Sequence, residues 1–170
     1  MRPAYHRRGT NGQLRLGMVG GGQGAFIGAV HRMAARLDDR YHLTAGAFAS
    51  DATRSRESGR ALGLPEDRIY GHFLEMALAE AKREDGIEVV AIVTPNHLHH
   101  PAAKAFLDVG IPVVCEKPMT TTEAEASELV EQVEQTGLPF CVCYNYTAYP
   151  LVRQAREMVG GGGDTQPEGV

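Results

Sequence analysis

Glu116, Lys117 and Pro118 close a short apolar run, Val113-Val114-Cys115, and set a carboxylate, an ammonium group and a rigid ring side by side. A lysine at the end of a buried strand can hydrogen-bond a hydroxyl and assist its proton loss, and a neighbouring carboxylate can orient it. The same three residues would also serve as a solvent-facing turn. A second cluster, Thr94-Pro95-Asn96-His97-Leu98-His99, follows residues 87–93, the segment richest in valine and isoleucine. It offers a hydroxyl, an amide and imidazoles on a loop stiffened by Pro95. Its plainer reading is a Pro-Asn turn that starts a helix. No carboxylate or thiolate accompanies His97, His99 and His100 at ligand spacing, so no metal site is expected there.

The stretch from Leu14 to His31 gives both clusters something to work on. Residues 14–19 read as a buried strand that empties into Gly20-Gly21-Gly22-Gln23-Gly24 before a helical pattern begins. Glycines at Gly20, Gly22 and Gly24 remove the Cβ atoms that would hold a ligand off the backbone, and the helix start turns unpaired N–H groups toward the gap. Strand, glycine turn and helix in that order are the opening of a dinucleotide-binding unit. Gly20-x-Gly22-x-x-Ala25 fits the fingerprint with alanine last, while Gly28 fits as the close-packing glycine only if two residues are inserted. A tight strand-to-helix turn, or the mononucleotide site of a methyltransferase, would use the same residues. After the second strand, Asp51 is placed to take adenosine ribose hydroxyls or to cap a helix. Ser50 with Arg54 would suit a 2′-phosphate, so NAD and NADP both stay open.

These groups need elements to hold them. Apolar runs at 14–19, 43–49, 69–70, 87–93, 113–115 and 138–144 read as strands, with 87–93 at the sheet centre. Helical patterns separate them: one from residue 26 with Phe26, Ile27, Val30, Met33, Ala34 and Leu37 on its core face, others near 53–62, 74–83 and 97–109, then one capped by Thr122 and Glu125, and a last over 151–159. Alternation with short connections predicts an α/β fold, a doubly wound parallel sheet whose ligands bind beyond the carboxyl ends of its strands. Residues 1–13 are expected to be a disordered arm, 14–159 one dinucleotide-binding domain, and 160–170 a disordered tail.

Bulk composition agrees. With 170 residues, 43% hydrophobic, and a formal net charge of -4, the chain is one ordinary globular domain with no basic stripe for nucleic acid. Its apolar stretches are too short to span a bilayer, and no secretory segment is seen, so a cytoplasmic address is expected. Cys115, Cys141 and Cys143 lack C-x-x-C spacing and are expected as packed thiols in buried strands.

The succession Gly-Gly-Gly-Gln-Gly with His31 shortly after, Thr94-Pro95-Asn96-His97-Leu98-His99, Cys115-Glu116-Lys117-Pro118 and Tyr144-Asn145-Tyr146 resembles the N-terminal half of the Gfo/Idh/MocA oxidoreductases. The resemblance implies a Rossmann-like NAD(P)-binding domain and hydride transfer to or from a hydroxyl of a sugar, inositol or related polyol. It places Gly20 and Gly22, with Gln23 and Gly24, at the pyrophosphate, and Thr94, Pro95, Asn96 and His99 on the nicotinamide side. Glu116 would bind the nicotinamide ribose, and Lys117 both the ribose and the reacting hydroxyl. Pro118 would follow a cis bond, and Asn145 and Tyr146 would stand near the substrate mouth. The family continues into a mostly antiparallel domain that supplies further catalytic groups and the subunit interface. That half is missing from this sequence, so oligomers are expected only with it. The rival expectations are a nucleotide-holding module without turnover and an inactive fragment.

Overall fold

The valine-rich segment does lie at the centre: all of β3 (Val89–Val93) is buried, as a strand must be when helices cover both faces of its sheet. The computed structural model describes residues 12–160. Around β3 stand β1 (Leu14–Gly20), β2 (Tyr41–Ala47), β4 (Val113–Glu116) and β5 (Phe140–Cys143), in the order β2-β1-β3-β4-β5 with every neighbour parallel. Gly20 pairs with Val93, Ile92 with Cys115, and Glu116 with Cys143, so the carboxyl ends of four strands form one rim.

Alternate residues of β3 divide the core. Val90 and Ile92 join Phe106 of α4 (His99–Asp108) and Leu129 of α5 (Glu123–Thr136), whereas Val89, Ala91 and Val93 join Leu16, Met18 and Phe48 on the other face. The second face is covered by α1 (Phe26–Leu37) and α2 (Ala52–Ala61). Helix α3 (Phe73–Glu80) leads toward β3, and α6 (Pro150–Gly160) follows β5. At the amino side, Arg68 and Glu80 form an ion pair of 2.7 Å with side chains 4% and 0% exposed. Glu80 also accepts from the Tyr70 hydroxyl and the Ile87 amide.

Three expectations need correction. Residues 69–70 are no strand: Ile69 makes a single parallel bridge to Gly46, too little chain to extend a ladder. The apolar face expected of α1 largely faces solvent, with Phe26, Met33 and Leu37 at 83%, 66% and 78% exposure; of that set Ile27 does pack against the core. The helix instead docks through Gly28, where an added Cβ would collide with the Gly21 backbone, and so turns Arg32 and Ala35 inward. Of the cysteines, only Cys115 is fully packed; Cys141 is exposed because β5 is the edge strand. The expected arm and tail fall outside the described residues, apart from Gly12, Gln13 and Gly160.

Candidate functional site

The glycine loop turns left-handed three times, at Gly20, Gly21 and Gly24, with φ of 82°, 70° and 81°. The missing side chains serve different ends. A Cβ at Gly20 would lie 2.9 Å from the Val93 carbonyl oxygen, and one at Gly22 2.7 Å from Ser58 Oγ, so these two positions make room for protein. Only at Gly24 does the space lie open. Gly28 is the close-packing glycine, and Gly21 is its counterpart, which spacing alone did not single out. Ser58 of α2 accepts the Gln23 N–H at 3.1 Å, and Arg32 donates to the Gly21 carbonyl at 2.8 Å, fixing the loop from both sides. Behind Gly24, α1 has Ala25 at its N-cap position, with no side-chain cap and no acid in its first turn, leaving its amides available to an anion. Gly22, Gln23, Gly24, Ser58 and their neighbours border an open cleft of about 340 Å³.

Beyond β2, Asp51 caps α2 by accepting the Arg54 N–H at 2.8 Å, and Ser50, Asp51 and the Arg54 side chain all face solvent. Capping engages one carboxylate oxygen and leaves the other free.

At the end of β3, Thr94 Oγ1 is buried with no hydrogen-bond partner among the described residues. Pro95 and Asn96 are exposed at the start of a short 3-10 turn. His99, expected on the nicotinamide side, is instead fully buried. Its Nδ1 stands 2.6 Å from the Pro118 carbonyl and its Nε2 3.0 Å from that of Thr94, so the ring ties two rim loops together and has no surface left for a ligand. The peptide between Lys117 and Pro118 is cis, as the resemblance implied.

Glu116 is the hub of the rim. Its Oε1 accepts from His31 Nε2 of α1 at 2.7 Å, and its Oε2 accepts the Lys117 N–H at 3.1 Å. The Lys117 side chain is exposed and has no partner among the described residues. Cys143, paired in register with Glu116, completes a group with His31 whose ligating atoms lie within 4.8 Å of one another. Burial, with Glu116 nearby, pushes the Cys143 thiol up to about 11, and burial pushes that of Cys115 up to about 12. Asn145 and Tyr146 stand exposed just past β5, with Tyr146 edge-on to Tyr149. Arg32 and Ser58 have no role in the sequence reading, His31 enters it only as part of the motif order and Cys143 only as a packed thiol, since nothing local marks a side chain that acts across the fold.

The structure therefore gathers the glycine loop, the Thr94 turn, Glu116, Lys117 and Asn145 on one rim. Two larger clefts, of about 860 Å³ and 530 Å³, hold none of these residues; the larger lies at the amino ends of β1, β3, β4 and β5. Uncapped amides behind an open glycine, and on the same rim a buried hydroxyl and an exposed lysine that have no partners among the described residues, are polar groups that fit a pyrophosphate and a polar ring.

Comparison with known proteins agrees with that geometry. Residues 14–144 match the profile described as an oxidoreductase family with an NAD-binding Rossmann fold. An uncharacterized oxidoreductase of Bacillus subtilis, YfiI, is 42% identical over 88% of this chain and 38% of its own. The crystal structure of an oxidoreductase from Sinorhizobium meliloti superposes with a TM-score of 0.82 at 55% identity, covering 88% of this chain and 42% of that one. An inositol dehydrogenase homolog from Azotobacter vinelandii, complexed with NADH and myo-inositol, gives 0.84 at 41% identity, covering 88% and 40%. The chain thus spans about two fifths of the length of these relatives. No helix among the described residues is long and apolar enough to cross a membrane.

Proposed function

This chain belongs to the Gfo/Idh/MocA family of oxidoreductases, and on that premise we propose that residues 14–159 are the dinucleotide-binding domain of a dehydrogenase. Its substrate is a hydroxyl-bearing polyol, cyclitol or sugar. The observation that carries this reading is the exposed Lys117 ammonium, without a partner among the described residues and set beside a carboxylate that His31 holds in place, on the rim that also carries the glycine loop.

In this reading the amides behind Gly24 hold the pyrophosphate, with Gln23 and the backbone at Gly20 and Gly22 shaping the turn. Ser50, Asp51 and Arg54 meet the adenosine ribose, and their charges decide between NAD and NADP. Thr94, Pro95, Asn96 and Pro118 border the nicotinamide, with Asn145 at the mouth. Glu116 takes the nicotinamide ribose and keeps Lys117 oriented. A nicotinamide held there would supply the hydride chemistry. Lys117 hydrogen-bonds the substrate hydroxyl and helps pass on its proton as the carbonyl forms. The same reading keeps the protein in the cytoplasm and leaves self-association to segments other than those described.

Titration with NADH, followed by nicotinamide fluorescence, tests the binding half. Turnover of a polyol panel that includes myo-inositol, followed by reduced-nicotinamide absorbance, tests the chemical half. Lys117→Met should leave NADH affinity within about threefold while lowering turnover by roughly 10² to 10⁴. NADH binding with no turnover of any polyol would favour a nucleotide-holding module, and no NADH binding would sink the reading.

A further inference from the structure

We propose that His31, Glu116 and Cys143 form a binding site for one zinc-class cation, which the dehydrogenase reading does not call for. One ligating atom from each residue lies within 4.8 Å of the other two although they arrive from three elements, the second turn of α1 and the ends of β4 and β5. The His31 and Glu116 side chains are only 15% and 13% exposed, so neither is a freely waving surface group. One imidazole, one carboxylate and one thiol are the ligand set of zinc rather than of magnesium or calcium, which take oxygen almost alone. With metal–ligand bonds of about 2.0 to 2.3 Å, a tetrahedral ion keeps its ligands roughly 3.5 Å apart. The His31–Glu116 spacing of 2.7 Å must therefore open, while no two of the three ligating atoms stand more than 4.8 Å apart. The Lys117 N–H on the other carboxylate oxygen already fixes the orientation of Glu116, as an outer partner of a metal ligand does. Three protein ligands leave a fourth position for water.

Binding involves no redox change. The Zn–S bond forms as the Cys143 thiol gives its proton to solvent, and His31 carries its remaining proton on Nδ1 once Nε2 coordinates. The hydrogen bond between His31 and Glu116 is exchanged for two bonds to the ion. A consequence follows that rests on the function proposed above: a cation on Glu116 withdraws the carboxylate from the nicotinamide ribose, so zinc and dinucleotide exclude one another.

The test is a titration of the full, cofactor-free chain with Co²⁺ as the optical substitute for Zn²⁺. One equivalent should produce a thiolate-to-cobalt charge-transfer band in the near ultraviolet, and Zn²⁺ should abolish it. Cys143→Ser and His31→Gln should each weaken binding at least tenfold. Cys141→Ser, two positions earlier on the same strand and outside the cluster, should not. Absence of the band, its persistence in Cys143→Ser, or its loss in Cys141→Ser would overturn the site. Repeating the titration with saturating NADH separates the two claims: undiminished cobalt binding there would leave the cation site standing and remove Glu116 from the ribose.

Discussion

Gly28 and Gly24 look alike in a sequence and differ in what replaces them. At Gly28 an added methyl collides with the Gly21 main chain, which cannot move without lifting α1 off the sheet. Gly28→Ala should therefore lower unfolding stability by about 1 to 3 kcal/mol, read from denaturant midpoints, and weaken NADH binding at least tenfold because the loop shifts with it. At Gly24 no atom is struck, and the cost of Gly24→Ala is the left-handed backbone alone, about 1 to 2 kcal/mol. Glu80 is a residue whose role lies entirely in the fold. It is buried against Arg68, Tyr70 and the Ile87 amide, and burial chiefly, helped by the bond to Glu80, raises the Tyr70 hydroxyl above its ordinary range so that it stays a donor. Removing one member of a buried pair strands the other, so Glu80→Ala should cost about 3 to 5 kcal/mol in the same measurement.

Among the elements, α5 carries its instructions most openly. Thr122 accepts the Glu125 N–H, the Glu125 carboxylate reaches back to the Thr122 N–H, and Gly137 ends the helix with φ of 66°. Thr122→Ala should cost about 0.5 to 2 kcal/mol. The Thr121 hydroxyl, followed by the Thr121 and Thr122 amides, holds the Glu125 carboxyl below its usual value of 4.5. A carboxylate lowered on folding stabilises above its unfolded pKa and stops doing so as pH falls through the folded value. The stability difference between the parent chain and Glu125→Gln should thus be full at neutral pH and shrink below about pH 4.5. Helix α5 and strands β1 and β3 to β5 were legible because caps, breakers and apolar runs are local signals. The packed face of α1 was not: a hydrophobic stripe marks where side chains are, whereas this helix docks where one is missing. The polar rim was legible as a set of strand ends, and the Glu116-Lys117-Pro118 turn among them. His99 was not, since a ring consumed by two carbonyls from remote loops looks in sequence like any other histidine.

For the molecule as a whole, the rim and the core are one cooperative unit, so occupancy at the first should be felt by the second. At one hundred times its dissociation constant NADH should add about 2.7 kcal/mol, which for a chain of this size raises Tm by roughly 5 to 10 °C. A thermal melt with and without cofactor checks it. The hydrogen bond from His31 to Glu116 joins groups 85 residues apart in the chain. Contacts of such long sequence separation form late in folding, after the entropy of closing the loop has been overcome. The glycine turn can take shape early on its own, yet the ring that completes the rim waits for β3 and β4 to be in register. During refolding, recovery of NADH fluorescence should accordingly lag behind the return of helical signal, and a nascent chain released before β4 would carry the most recognisable stretch of its sequence without any affinity for the cofactor.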